Sequence, residues 1–121
     1  MAGKAETRPG SRTLLMLART GFLVSLLLGL GGLFGTYLYG GAVLWIHIVF
    51  GLLFLVPAWI LTAGAAKPGT VVAGAALGTI GAMLAAIAAL WLPGLTAWPH
   101  LILMIVAIGL VEMGTSGGRR A

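Results

Sequence analysis

Whatever chemistry this chain can do rests on two imidazoles. His47 stands in "LWIHIVFGLL" (44–53) and His100 in "WPHLILM" (98–104), two runs that otherwise hold little that water would solvate. An imidazole carries protons near neutral pH and, when neutral, ligates metals through either ring nitrogen. Cysteine is absent, which removes disulfides, thiolate metal sites, thioether-linked cofactors and Cys-x-x-Cys redox pairs. No serine stands near a histidine and an acid at matched depth, and no His-Glu-x-x-His run occurs, so hydrolysis has no support.

The elements that must position these rings follow from composition. Of 121 residues, 60% are hydrophobic and 7% charged, far from the quarter or so of charged residues that a soluble domain carries. The solvent for most of this chain is therefore lipid. The polar stretch 1–12, with Pro9 and Gly10, reads as a leader on the cytoplasmic side, 13–113 as one transmembrane domain and 114–121 as a tail. Four apolar runs, about 20–39, 42–63, 70–92 and 95–113, each approach the ~20 residues that cross a hydrocarbon layer. The expected fold is all-α: an integral membrane four-helix bundle, up-down-up-down because the breaks between runs are short. The first run lacks a small-x-small cleavage site after a short apolar core, so it reads as an uncleaved anchor helix.

The net charge of +5 is a topology signal, since the bases are not interleaved with aromatics on a polar face and no nucleic-acid-binding motif is present. With both termini cytoplasmic, Lys4, Arg8, Arg12, Arg19, Lys67, Arg119 and Arg120 all fall on the retained side, as positive residues do during insertion. Tyr37, Tyr39, Trp45, Trp91 and Trp98 then gather near the outer boundary, where amphipathic rings prefer the headgroups. The setting expected is a multi-pass protein of a bacterial inner membrane, with the bilayer, other membrane subunits or a second copy as partners and no nucleic acid. Arg19 and Glu112 lie near the inner boundary, where an ion pair is expected.

Lipid gives helices no hydrophobic reason to associate, so small residues must let backbones approach. Gly74, Gly78, Ala82 and Ala86 form one small-residue stripe, and Gly21, Ser25, Gly29, Gly32 and Gly35 another. Such stripes serve tight packing or leave room for a flat cofactor. Pro57 removes one hydrogen bond from the second helix and is expected to kink it.

In an up-down-up-down bundle the second and fourth helices run parallel. His47 lies 16 residues before 63 and His100 13 before 113, so their depths differ by only about 5 Å at 1.5 Å per residue. Two imidazoles from parallel helices at one depth, in the outer half of the membrane, are what a six-coordinate haem b needs. Gly51, one turn from His47, offers a place for a porphyrin edge to lie against the backbone.

With the four-span plan and the segments "HIVFG" and "WPHLILM", the chain resembles the small four-helix membrane b-type cytochromes and the haem-carrying anchor subunits of respiratory enzymes. That resemblance implies haem b held by His47 and His100, with electrons exchanged with a quinone or a partner subunit. The larger members carry four ligands for two haems, whereas two histidines hold one. Two other readings stand beside it. An accessory or assembly subunit would pack through its glycine stripes without a cofactor. A small histidine-dependent transporter would lack the mid-membrane carboxylate such proteins use, because Glu6 and Glu112 both lie outside the midplane. Taken singly, His100 behind Trp98 and Pro99 also has the placement of an interfacial anchor.

Overall fold

The computed structural model describes residues 9–33, 41–91 and 97–116, with side chains for 11–32, 41–87 and 97–116. It is helical throughout: α1 (Pro9–Leu33), α2 (Gly41–Leu61), a 3-10 turn (Thr62–Gly64), α3 (Pro68–Trp91) and α4 (Ala97–Ser116). Each helix contains a segment long and apolar enough to cross a membrane: Ser11–Gly32, Gly41–Gly64, Pro68–Ile87 and Ala97–Ser116. Tyr37, Tyr39, Gly35, Lys4, Arg8, Glu6, Pro93, Gly94, Arg119 and Arg120 lie outside the described residues.

α1 begins at Pro9, well before the apolar run starts near Thr20. Proline is suited to the first turn of a helix, where its missing N–H has no intrahelical partner to lose. The polar residues Ser11 and Arg12, in the stretch read as a leader, are therefore helical. α2 continues through the buried Pro57 to Leu61 before tightening into the 3-10 turn. α4 runs to Ser116, past the last strongly apolar residue.

α1 packs chiefly on α2, and α3 chiefly on α4; α2 joins the two hairpins through α3, while α1 and α4 meet sparingly. Glycine sets both main seams. A Cβ at Gly21 would lie 2.6 Å from the Phe50 carbonyl oxygen and 2.8 Å from the Phe54 nitrogen, so the α1 and α2 backbones touch there. A Cβ at Gly74 would lie 2.7 Å from the Ala107 carbonyl oxygen, and the seam continues through Gly78 and Gly81 against Ala107, Leu103 and Met104. Contacts ascend along α1 as they descend along α2, from Gly21 with Phe54 to Gly29 with His47; α3 and α4 do the same. The predicted row Gly74, Gly78, Ala82, Ala86 thus holds as far as Ala82, which packs partly buried against the core. Ala86 is exposed, because a row spaced by four drifts around a helix of 3.6 residues per turn.

The two ends of the bundle differ. Leu15, Ala18, Phe54, Leu55, Ala58, Leu61, Val71, Ala75, Ala107 and Val111 form the buried core, and all lie toward one end. The same end carries every charged residue among those described: Arg12, Arg19, Lys67 and Glu112. Arg19 Nε donates to Glu112 Oε2 at 2.6 Å and a terminal nitrogen donates to Oε1 at 2.7 Å, a fork-on-fork pair that ties α1 to α4. The Lys67 N–H donates to the Gly114 carbonyl at 2.9 Å, docking the α2–α3 connection on the end of α4. Outward positions along all four helices are large and apolar, among them Leu27, Val49, Leu52, Met83, Ile102 and Ile105. A soluble bundle would put polar residues there; this surface suits hydrocarbon.

Candidate functional site

At the opposite end from the charges, α2 and α4 bring His47 and His100 together with ring centroids 6.3 Å apart and planes inclined by 71°. Both rings are half-buried. The depth match read from the sequence is therefore also a lateral match.

Each ring is held at Nδ1 by main chain from the other helix of its own hairpin. His47 Nδ1 lies 2.9 Å from the Ser25 carbonyl oxygen and 3.0 Å from Ser25 Oγ. His100 Nδ1 lies 2.9 Å from the Gly81 carbonyl oxygen. A carbonyl oxygen can only accept, so in both rings Nδ1 must carry the proton. The Ser25 hydroxyl gives its own proton to the His47 carbonyl at 3.0 Å and turns a lone pair toward Nδ1. Both imidazoles are thus Nδ1–H tautomers, with the ring lone pair on Nε2.

The separation of the rings has a metric meaning. A metal–nitrogen bond of about 2.0 Å, with about 1.1 Å more from a nitrogen to the centre of a five-membered ring, places two ligating imidazoles about 6.2 Å apart between centroids. The observed separation between centroids, 6.3 Å, is of that size. Among the described residues no group of three or more His, Cys, Asp or Glu comes together to hold a metal ion. Two imidazoles are half the donor set of a tetrahedral zinc site, whereas a porphyrin brings four nitrogens and asks the protein for one or two. The donor set fits a metalloporphyrin.

No large apolar side chain described at this end is fully buried; the buried core lies wholly toward the charged end. α2 and α4, which carry the two rings, do not pack extensively on one another. Gly51 sits in the α1–α2 seam, where a Cβ would make ordinary contact with Ser25 Oγ at 3.5 Å. Gly29 is the glycine that meets the ring: a Cβ there would lie 3.2 Å from His47 Cε1. Trp45 and Trp98 flank this end and are exposed. Trp59, nearer the charged end, donates its indole N–H to Thr79 Oγ1 at 2.9 Å across α2 and α3.

Sequence reasoning identified the two rings but not their holders. Ser25 was visible as a hydroxyl in an apolar run, yet it counted only as a small residue in a stripe. The Gly81 carbonyl has no signature in a sequence, because every residue has one. No protein family, curated protein or solved structure matches this chain.

Proposed function

We propose that this chain is a membrane electron-transfer subunit that binds one b-type haem between His47 and His100. Its helices run up-down-up-down, both termini face the cytoplasm, and the haem site lies in the outer half of the bilayer. The observation that carries the reading is the pair of Nδ1–H imidazoles from different hairpins at 6.3 Å. Tautomer, spacing and donor count all suit axial ligation.

When bound, haem b supplies a one-electron couple. The residues do the rest: the Ser25 and Gly81 carbonyls orient the rings, and the apolar outer surface keeps the helices in lipid. Orientation is supported by the gathering of Arg12, Arg19 and Lys67 at the end remote from the histidines, since positive residues stay cytoplasmic. His100 is 12 residues from Glu112, about 18 Å along α4, which puts the ring well across a ~30 Å core. Held there by His47 and His100, a haem would supply its electron couple near the outer face, within reach of a quinone at the Trp45 and Trp98 level or of an extracytoplasmic partner.

The test is colour. Protein expressed with ample haem and purified in mild detergent should give the reduced-minus-oxidised spectrum of one low-spin b-type haem per chain. A colourless protein would leave a packing subunit without a cofactor. Orientation is checked separately by reporter fusions, which should report cytoplasm at both termini and the opposite side at residues 93–96.

A further inference from the structure

We infer that Ser25 is a positioning residue for His47, making the two imidazoles unequal ligands. The inference deepens the haem reading and rests on it for its redox consequence, but not for its structural one.

Ser25 is buried, at 8% exposure the one polar side chain in the buried set among the described residues, and its oxygens meet His47 three times. Its carbonyl and hydroxyl oxygens both face Nδ1, at 2.9 and 3.0 Å, and its hydroxyl proton goes to the His47 carbonyl at 3.0 Å. A rotating hydroxyl can serve only one donor role. Because the His47 carbonyl takes that proton, the oxygen meets Nδ1–H as an acceptor, and the ring is fixed from two directions. His100 has a single acceptor among the described residues, the Gly81 carbonyl.

The arrangement is set by sequence spacing. The Ser25 carbonyl would ordinarily be screened by the side chain one turn later, which is Gly29 here. With no Cβ at Gly29, His47 Cε1 reaches within 3.2 Å of where that atom would be, and Nδ1 reaches the carbonyl behind it. Ser25 and Gly29 together form the seat of the ring. An added acceptor on Nδ1–H makes an imidazole a stronger donor at Nε2, which favours the oxidised metal. Ser25 therefore holds the midpoint potential lower than the Gly81-type arrangement would.

The experiment uses the full chain labelled with ¹⁵N-histidine in detergent, with and without haem, and the variants Ser25→Ala and Ser25→Thr. In the haem-free wild type both rings should give the Nδ1–H pattern, assigned by His47→Ala and His100→Ala. Ser25→Ala, which keeps the backbone carbonyl at position 25 and with it the Nδ1–H tautomer, should shift the His47 Nδ1–H signal toward that of the singly accepted His100 ring and leave the His100 signals in place. With haem, Ser25→Ala should keep the low-spin spectrum but move the midpoint potential positive, and Ser25→Thr, which retains a hydroxyl, should restore it. Unchanged His47 signals in Ser25→Ala would overturn the inference while leaving haem binding intact. A wild type that binds no haem, but whose His47 signals still respond to Ser25→Ala, would sink the haem reading and uphold the positioning role.

Discussion

His47→Ala and His100→Ala should each abolish the low-spin haem spectrum while leaving the protein inserted and helical. Loss of a residue that merely orients a ligand costs roughly 10–100-fold in metal affinity, and loss of the ligand itself should exceed that. The folding argument allows the separation: neither ring belongs to the buried core, which lies toward the other end of the bundle. Free imidazole is a control that distinguishes ligation from structural support. Added to either variant, it should enter the space left by the ring and recover the six-coordinate spectrum. A variant that retains the wild-type spectrum would show that the corresponding ring is an interfacial anchor and not an axial ligand.

How far the sequence could reach is clearest at this site. The existence of four helices was legible because apolar runs of about 20 residues have few other uses. Depth was legible because it depends only on residue count and on the direction of each helix. Rotation about the helix axis was not. In water a helix marks its inward face with an apolar stripe, but here Leu27, Val49 and Ile105 are outward and Phe54, Val71 and Val111 inward, so apolarity points both ways. Only the small and polar residues break the symmetry. Arg19 and Glu112 did so correctly, their pairing following from equal depth and opposite charge.

The start of a helix is hidden for a related reason. Hydropathy measures where a helix enters lipid, not where it begins, and α1 starts at Pro9 in a polar stretch with no apolar period to reveal it. The ring holders failed because hydrogen bonding in lipid is met largely by main chain. Every carbonyl is an acceptor in principle, and which one is reached depends on a missing side chain nearby, as Gly29 permits at Ser25.

Gly21→Ala and Gly74→Ala should each destabilise the bundle by about 2–3 kcal/mol in detergent unfolding, the upper range for one methyl forced into a packed seam. At Gly21 the new atom would meet the Phe50 carbonyl oxygen at 2.6 Å, the Phe54 nitrogen at 2.8 Å and the Leu53 carbonyl carbon at 2.9 Å. All three belong to backbone, so no side-chain rotation relieves them and α1 must back away from α2. At Gly74 the closest atom is again backbone, the Ala107 carbonyl oxygen at 2.7 Å. Gly109 supplies the contrast. It lies in α4 with nothing within 4 Å of an added Cβ, so Gly109→Ala should be neutral or stabilising by up to about 1 kcal/mol, the helix propensity gain alone. The Gly21 variant should also disturb the site, since Ser25 sits one turn further along α1 and withdraws with it. Its haem spectrum should broaden or weaken, while that of Gly109→Ala stays as in wild type. Equal stability of the Gly21, Gly74 and Gly109 variants would show that the hairpins are not closed on their glycines, and that the seat built for His47 on α1 is not held at the distance seen here.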